Sequence, residues 1–447
     1  GEIGYVLSSW LPLSKSVVSR ITGAVQTDAS TIDAVQPKAR RLSFKELPGF
    51  DISAEALLKI IEMPCMVIRR SPAMKVLEMI TLRLRGDCLS ALGIDLNSAQ
   101  ITSKGTVSGG NGDMDVSVPA TQLFSLIRNM RGEDEINVRF HAAKNHLVIR
   151  TDKNSYNIPV CLDHIPEIQA ETLEHNYSVY FPTQMLSQII KRVSHAAAQN
   201  DVRFYMNGVY LGIDNGQFIA VATDGHRMAV SSHDIDFSDD VGDEIQSPTA
   251  PTSISNTNAG VILPNGVFPV LHKILSGSQG QFKIDYSNRN LTFTLGSHTV
   301  ISNLVDGRYP DWKRVASTVA KNTELFKVDP SELTTALKRA TPLLKEGSPN
   351  NTSVCVMSFK DNALQLKSPG SNAISCKEVM DIAKEAGEPE TIVDIGMNAD
   401  YLLESLASLG ACSEEGEAAQ IALRDTTTGI LISVNKNNYD IIMPVRV

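Results

Sequence analysis

The chain has 447 residues, of which 42% are hydrophobic and 20% charged, and its formal net charge is −9 at pH 7. The length exceeds one ordinary domain and, at about 100–200 residues per domain, indicates about three domains. No apolar run approaches the roughly 18–20 residues that a membrane-spanning helix needs, so we expect a soluble protein. The acidic balance argues against a conventional nucleic-acid-binding protein, because such proteins are usually basic.

The cysteines are scattered along the chain, at Cys65, Cys88, Cys161, Cys355, Cys376 and Cys412. None forms a C-x-x-C pair, and none has a histidine at the spacing that a zinc site requires. The sequence therefore predicts no disulfide, no metal site and no cofactor. Unpaired cysteines of this kind fit a reducing compartment, and we expect a cytoplasmic protein.

Residues 1–47 precede the repeated part of the sequence. Up to Arg20 they are rich in serine and poor in acidic residues, a composition faintly similar to that of a transit peptide. No secretory signal is indicated, because serine and proline interrupt the apolar stretches. We favour the interpretation of residues 1–47 as a mobile N-terminal extension.

The most informative feature is an internal repeat with a period of about 110–130 residues. In the first copy, a helix is predicted at residues 53–62, a β-hairpin at 82–95, a second helix at 120–131 and further strands at 136–160. The same order recurs in the second copy at residues 183–200, 209–225, 267–275 and 282–305, and in the third copy at 331–346, 354–370, 399–409 and 419–445.

The helix that opens each copy is amphipathic, which predicts that it packs against a sheet. The apolar stripes are Leu57, Leu58 and Ile61 in the first copy, Met185, Leu186, Ile189, Ile190 and Val193 in the second, and Leu333, Ala336, Leu337, Ala340 and Leu344 in the third. In the third copy, Asp329 is the predicted N-cap and Pro330 the first helical residue. The first opening helix is predicted to be short.

The repeat divides the chain into three α+β domains, each with two helices packed on antiparallel sheet. We expect these domains at residues 48–168, 177–308 and 324–447. Residues 236–260, within the second domain, are rich in Ser, Thr, Asp and Pro and are expected to form a solvated loop.

Several segments resemble one known family. DVRFYMNGVYL at residues 201–211 and ATDGHRMA at 222–229 resemble the middle domain of the bacterial DNA polymerase III beta subunit, the beta sliding clamp. LVDGRYPDWKRV at 304–315 is similar to the family's second interdomain linker, and YDIIMPVRV at 439–447 to its C-terminal tail. The resemblance covers about residues 48–447 and is most specific in the second and third domains. Residues 1–47 have no counterpart in the family pattern.

The resemblance implies a processivity factor, without catalytic activity, that encircles duplex DNA as a head-to-tail homodimer. The DNA would be bound without sequence specificity. The implied partners are the alpha subunit of the replicative polymerase, the clamp loader, other polymerases, mismatch-repair proteins and ligase. The alternative is an interaction scaffold with the same fold that does not close a ring.

The resemblance also implies a peptide-binding cleft between the second and third domains, through which these partners dock. Carried over onto this sequence, the cleft residues are Arg203, Tyr205, Met206, Thr223, Gly225, His226, Arg227, Met228, Pro264, Phe268, Asn398, Tyr401, Ile441, Met443, Pro444, Val445 and Arg446. Methionines suit an adaptable apolar pocket, and proline and tyrosine suit rigid walls.

Charge is modestly segregated along the chain. The six predicted helices together carry a net charge of +3. Because the whole chain carries −9, the remaining residues carry −12. The candidate DNA-facing residues are Arg69, Arg70, Arg128, Arg131, Lys191, Arg192, Lys273, Lys338 and Arg339. A topologically linked ring needs only weak phosphate contacts, because tight electrostatic binding would impede sliding.

An enzymatic interpretation has less support. Asp224 and His226 could serve acid–base chemistry, but no nucleophile motif accompanies them. We expect Asp224 to support a turn and His226 to be packed. The SGGNG run at residues 108–112 is not followed by a lysine and a helix, so we interpret it as a turn and not as a phosphate loop.

Overall fold

The computed structural model describes residues 42–71, 73–130, 132–133, 135–163, 166–168, 177–214, 216–234, 260–287, 289–360, 362–370, 373–388, 392–414 and 416–447. The extension up to residue 41, most of the predicted loop at 236–260 and Arg131 lie outside the described residues. Phe44–Val447 form one compact unit. Within it, the predicted α+β repeat is confirmed.

Each domain follows the order strand, helix, three strands, strand, helix, three strands. The first domain consists of β1 (Gly49–Ile52), α1 (Ala54–Val67), β2 (Met79–Arg85), β3 (Cys88–Asp95), β4 (Ala99–Thr106), β5 (Ser108–Asn111), β6 (Met114–Pro119), α2 (Ala120–Asn129), β7 (Ile136–His141), β8 (His146–Arg150) and β9 (Ser155–Pro159). The second consists of β10 (Tyr177–Pro182), α3 (Thr183–Val193), β11 (Gly208–Asp214), β12 (Gln217–Thr223), β13 (Arg227–Asp234), β14 (Val261–Pro264), α4 (Phe268–Ser276), β15 (Gln281–Tyr286), β16 (Asn290–Leu295) and β17 (His298–Asn303).

A linker helix, α5 (Trp312–Val319), leads to the third domain. This domain consists of β18 (Glu324–Val328), α6 (Pro330–Glu346), β19 (Val354–Lys360), β20 (Ala363–Lys367), β21 (Lys377–Asp381), β22 (Ala383–Ala386), β23 (Ile392–Asn398), α7 (Ala399–Gly410), β24 (Ala419–Leu423), β25 (Ile430–Asn435) and β26 (Asn438–Ile442). The strands β5 and β22 are additions to the common pattern.

The opening helices form where capping and periodicity favour them. Asp329 caps α6 by accepting hydrogen bonds from the amides of Ser331 and Glu332, as predicted, and Pro330 occupies the first turn. The predicted apolar stripes face the cores, and only Met185 is partly exposed. The prediction of a short first helix is wrong, because α1 continues through Pro64 to Val67 and buries Met63 and Val67. The linker helix α5, capped by Asp311, was not predicted.

Two sheets cross the domain boundaries. One has the order β10-β15-β16-β17-β4-β3-β2-β6 and joins the first and second domains. The other has the order β14-β11-β12-β13-β26-β25-β24-β18-β22 and joins the second and third domains. The sheets β5-β1-β7-β8-β9 and β21-β20-β19-β23 each stay within one domain. All pairs in these sheets are antiparallel, for example β13 with β26, where Met228 lies opposite Ile441.

The six helices that belong to the domains form one continuous layer on one side of the sheets, which we call the inner side. Neighbouring helices pack in the order α2, α1, α4, α3, α7, α6, so the layer runs from the first domain to the third. The apolar cores lie between this layer and the sheets. At the boundary between the first two domains, Met63 and Val67 of α1 join the core of the second domain.

The linker covers a second apolar cluster on the outer side of the sheet that joins the second and third domains. Tyr309 and Trp312 lie over Tyr210, with ring centroids 5.3 and 6.5 Å from it. The Tyr309 hydroxyl donates a hydrogen bond to the carbonyl of Val221, at 3.3 Å. Ile441 of β26 also belongs to this cluster, so the linker holds both domains.

No helix among the described residues is long and apolar enough to span a membrane. The six cysteines lie in this described part of the chain and are unpaired. Burial raises the pKa of the Cys65 thiol to about 12. It raises the pKa of the more deeply buried Cys355 thiol to about 12 as well. Both side chains are therefore neutral packing residues at physiological pH.

Trp312→Ala should destabilise the protein by about 3–5 kcal/mol, because it removes a large buried ring from the cluster beneath the linker. Trp312 is only 8% exposed, whereas Val315 on the same helix is 37% exposed. Val315→Ala is therefore the matched control and should change stability by less than about 0.5 kcal/mol. Urea unfolding of both variants measures the difference, and equal midpoints would contradict the assigned role of the linker.

Candidate peptide cleft and helix layer

A tight turn at residues 223–227 forms the centre of the candidate cleft. The Thr223 hydroxyl donates a hydrogen bond to the carbonyl of Arg227 at 2.6 Å, and Gly225 has φ +91°. The Asp224 carboxylate accepts hydrogen bonds from the amides of His226 and Arg227, at 2.9 and 3.1 Å. Asp224 thus supports the turn as predicted, but the prediction of a packed His226 is wrong, because its side chain is exposed.

Arg227 connects this turn to the third domain. Its Nε donates to Asp224 at 3.1 Å, and its Nη1 pairs with the carboxylate of Glu404 on α7. The guanidinium carbon lies 4.2 Å from the ring centroid of Tyr401, also on α7. Asn398 caps α7 by accepting from the amides of Asp400 and Tyr401, and so fixes the first turn of this helix.

The loop at residues 201–206 forms the neighbouring wall. Arg203 pairs with Asp201 through its Nη2, at 2.8 Å, and donates to the carbonyl of Asp224 at 3.3 Å. The hydrogen bonds from the Arg203 side chain and amide lower the pKa of Asp201 to about 2. Tyr205 packs against the cluster beneath the linker, and Phe204 is exposed.

The C-terminal residues leave β26 and cross the seam between the domains. The amide of Met443 donates to the carbonyl of His226, and the amide of Val445 donates to the carbonyl of Gly396, both at 2.8 Å. The side chains of Met443, Val445 and Val447 are 39%, 36% and 66% exposed. We refer to the surface formed by residues 201–206, residues 223–227, the first turn of α7 and residues 443–447 as the seam cleft.

The structure brings most of the predicted cleft residues to the seam. They are linked by the contacts described above or by strand pairing: Arg203, Tyr205, Thr223, Gly225, His226, Arg227, Met228, Asn398, Tyr401, Ile441, Met443, Pro444 and Val445. Thr223, Met228 and Ile441 are buried and form its floor. Arg446 is exposed at the end of the chain.

For the other three predicted cleft residues, the structure shows contacts on the second-domain side of the seam. Met206 is buried, and its carbonyl accepts from the amide of Ala198. Pro264 ends β14 opposite Gly208. Phe268 is partly buried and packs against the inner core of the second domain.

Sequence reasoning missed the acidic residues that hold the two cleft arginines. Asp201 holds Arg203, and Glu404 holds Arg227. The signal for Asp201 was its place in DVRFYM, two residues before Arg203. Glu404 lies three residues after Tyr401 on α7 and therefore on the same helix face, which could have suggested it.

Most of the candidate DNA-facing residues are exposed on the helices or directly after α1. These residues are Arg69, Arg70, Arg128, Lys191, Lys273, Lys338 and Arg339. Three of them are paired with acidic residues: Arg69 with Asp95, Lys273 with Glu62 and Arg339 with Glu378. Within the described part of the chain, no ion pair involves Arg128, Lys191 or Lys338.

The prediction that Arg192 faces DNA is wrong. Its side chain is 1% exposed and pairs with Asp440, whose side chain is also 1% exposed. Arg192 and Lys191 are adjacent on α3, so they point in directions about 100° apart. Lys191 is on the exposed face of α3, whereas Arg192 is on the face that packs against α7.

Among the described residues, no group of three His, Cys, Asp or Glu side chains could hold a metal ion. The seam cleft offers exposed apolar side chains, backbone groups and two arginines that are paired with carboxylates.

Sequence models of the N-terminal, central and C-terminal domains of the DNA polymerase III beta subunit match residues 49–168, 180–311 and 320–446. The beta sliding clamp of Pseudomonas aeruginosa is 26% identical over 407 residues, an alignment covering 89% of this chain and 99% of the relative. The solved P. aeruginosa clamp bound to griselimycin has a TM-score of 0.75 at 24% identity and covers 90% of this chain and 100% of that chain. The Bartonella birtlesii clamp bound to griselimycin has a TM-score of 0.76 at 21% identity, covering 89% and 99%.

The fold is therefore that of a DNA polymerase sliding clamp. The chain belongs to the DNA polymerase III beta subunit family, since the three domain models together span most of its length. It is a sliding clamp and processivity factor, an accessory subunit of DNA polymerase III that is not itself catalytic. The resemblance inferred from residues 201–211, 222–229, 304–315 and 439–447 is confirmed.

Arg203→Met should raise the pKa of Asp201 from about 2 towards the ordinary aspartate value of about 3.9, because the side-chain hydrogen bonds that lower it most are lost, while the hydrogen bond from the backbone amide of residue 203 remains. A folded-state pKa below the unfolded one stabilises the protein above about pH 4, and this contribution disappears as the pH falls towards 2. Carboxyl carbon NMR titration measures the shift. Asp425 is the control, because amides of Thr427 and Thr428 lower its pKa to about 2. An Asp201 pKa unaltered in the variant would refute this attribution.

Proposed function

We propose that two copies of this chain close head-to-tail into a ring around duplex DNA, and that partner proteins dock in the seam cleft. The observation that carries the ring is a rule of strand pairing that both internal domain boundaries obey. The last strand of one domain pairs with the third strand after the opening helix of the preceding domain. These pairs are β17 with β4 and β26 with β13.

The same rule identifies the two edges that would meet between subunits. In the first domain, the last strand is β9, which ends its sheet. In the third domain, the third strand after the opening helix is β21, which also ends its sheet. An exposed edge strand tends to pair with another chain, so β9 of one subunit and β21 of the other are complementary candidates. Such pairing would turn two one-domain sheets into one sheet across the joint.

Apolar surface near the end of α6 supports the same joint. A pocket of about 90 Å³ is lined by residues that include Leu343, Leu344, Pro349 and Ile374. Leu343 is 42% exposed and Ile374 39% exposed. At the equivalent end of α1, Met63 and Val67 pack into the next domain. Among the described residues no further domain covers the end of α6, and we propose that the first domain of a partner subunit covers it.

The helix layer is the surface proposed to face DNA. In a closed ring, the layer from α2 to α6 would continue into α2 of the partner subunit. Arg128, Lys191 and Lys338, exposed on this layer, could contact phosphates without sequence selectivity. Because Arg69, Lys273 and Arg339 are paired with acidic residues, only a few cations would contact phosphates, and the total electrostatic attraction would be weak enough to be compatible with sliding.

The seam cleft is the proposed docking site for linear motifs of partner proteins. Its apolar side chains, Met443, Val445 and Phe204, are exposed, while hydrogen bonds hold the backbone beneath them. We propose that the partners implied by the resemblance dock in this cleft. They are the polymerase alpha subunit, the clamp loader, other polymerases, mismatch-repair proteins and ligase.

The ring is tested by mass and by topology. Light scattering should give about 97 kDa, twice the chain mass of 48.6 kDa. Protein loaded on nicked circular DNA should remain bound in high salt and be released by linearisation, because linkage and not affinity retains it. Leu343→Asp should give monomers that are not retained, whereas Val315→Asp, on the linker helix, should behave as the wild type. A wild type that remains monomeric at micromolar concentration would favour the open scaffold instead.

Deleting residues 443–447 tests the seam cleft separately from folding. These residues follow β26, so the sheet can form without them. The deletion should leave the dimer and its melting temperature nearly unchanged. It should weaken binding of a peptide containing glutamine and leucine by about thirtyfold or more, since losing a buried apolar anchor costs about 2 kcal/mol or more. Arg227→Ala should cause part of the same loss.

Peptide affinity and melting temperature are measured on the same truncated sample. If the residues are only the end of a core strand, truncation lowers stability and lost binding follows the unfolded fraction. Undiminished affinity in a well-folded truncation would refute the assigned site.

A further inference from the structure

A buried ionic cluster crosses the seam between the second and third domains, behind the seam cleft. Arg192 of α3 donates to the Asp440 carboxylate of β26 at 2.5 Å. His195, just after α3, contacts the other carboxylate oxygen through Nε2, at 2.8 Å. Burial alone would raise the pKa of Asp440, but Arg192 and His195 outweigh it and keep that pKa below its ordinary value. The carboxylate is therefore charged, and it is shared by two residues of the other domain.

The cluster also forms hydrogen bonds with helix α7. The Ser408 hydroxyl donates to the carbonyl of Arg192 at 2.5 Å and accepts from its Nη1 at 3.1 Å. The buried Ser405 lies beside Asp440. Tyr401, Ser405 and Ser408 are spaced at i, i+4 and i+7, so they share one face of α7. A rotation or shift of α7 that broke the Ser408 contacts would therefore move Tyr401 away from Arg227.

The same cluster lies upstream of the C-terminal residues. Asp440 is three residues before Met443, a distance of about 10 Å along an extended strand. The backbone of Met443 is held by His226 and that of Val445 by Gly396. The side of β26 that carries Asp440 is thus anchored to α3, and the residues that follow form a wall of the seam cleft.

The energetic character of such a cluster indicates a role other than simple stabilisation. A buried ion pair gains little over well-packed apolar residues of similar volume, whereas removing one partner leaves a buried charge unpaired. A pair of this kind does, however, impose a defined geometry, because its hydrogen bonds are directional. Apolar packing tolerates small shifts that these bonds do not.

We propose that Arg192, His195 and Asp440 are positioning residues for the seam cleft, fixing the placement of α7 and residues 443–447 on the second domain. The proposal rests on the proposed docking function for its biological meaning, but its structural content does not depend on any ligand. It predicts that geometry at the seam can be lost while stability is retained.

The test uses full-length variants and native-state hydrogen exchange of the Met443 and Val445 amides, which report on the placement of the tail without a ligand. Asp440→Asn should accelerate exchange of these amides about tenfold or more, while amides of β2 and β3 in the first domain are unchanged. The double variant Arg192→Met/Asp440→Leu leaves no unpaired charge. It should recover the melting temperature but retain fast exchange at Met443 and Val445. Leu364→Ala, in the core of the third domain, is the control that lowers the melting temperature without affecting these amides.

The affinity for griselimycin, the ligand in two of the solved clamps, is measured on the same samples. We expect it to fall about tenfold in both cluster variants and to be unchanged in Leu364→Ala. Normal protection of Met443 and Val445 in the double variant would overturn the proposal, as would acceleration of these amides in Leu364→Ala equal to that in Asp440→Asn. If the wild type fails to bind griselimycin while the exchange results hold, the positioning role stands, and the docking function is decided by the peptide affinity of the chain lacking residues 443–447. Should Asp440→Asn not fold, the double variant decides alone.

Discussion

Backbone pairing across domain boundaries is the constraint on which the rest of this structure depends. Each domain ends in three antiparallel strands, and the last of them has an edge that no strand of the same domain pairs with. Such an edge, if left exposed to water, is a site for uncontrolled association. Within the chain, β17 and β26 meet this constraint by pairing with the preceding domain. Because both pairings follow one rule, the helices of successive domains come to lie in one layer, and the linker that carries Tyr309 and Trp312 lies on the opposite side of the sheet.

The two internal seams meet the same constraint with different chemistry. Between the first and second domains, α1 inserts Met63 and Val67 into a shared apolar core. Between the second and third, Arg192 and Asp440 form a buried ion pair on the inner side, and Tyr309 and Trp312 cover the outer side. The seam that carries the candidate docking surface is therefore the one that buries an ion pair. Arg227, stacked on Tyr401, adds a second arginine across the same boundary.

Sequence reasoning reached the domain repeat because local patterns encode it. Helical spacing in α3 and α6 and alternation in the hairpins depend only on nearby residues, and the N-cap at Asp329 is likewise local. Arg192 could not be assigned in this way, since its partner is 248 residues away and a lysine beside it is exposed. The linker helix α5 was missed because Trp312 and Val319 are buried against another domain and not within their own segment. In α1, the helix continues to Val67 because Met63 and Val67 pack against the second domain, a contact that the local sequence does not encode.

For the seam cleft, the family motifs located the turn at Asp224 and the C-terminal residues, but not the acidic residues that neutralise the arginines. Short motifs carry the backbone geometry of a site, whereas a charge partner such as Glu404 comes from a different domain. Phe268, also assigned from the resemblance, is partly buried and packs against the inner core of the second domain, so its place in the cleft stays a prediction.

The position of the C-terminal residues has a consequence for the exchange of partner proteins on DNA. They extend from β26 at an internal seam, whereas the unpaired strand edges β9 and β21 belong to the first and third domains. In the proposed ring, the subunit joint that opens to admit DNA is therefore separate from the cleft that a partner protein occupies. A partner protein could stay attached while the joint opens. Exchange of one partner protein for another would not require the ring to leave the DNA.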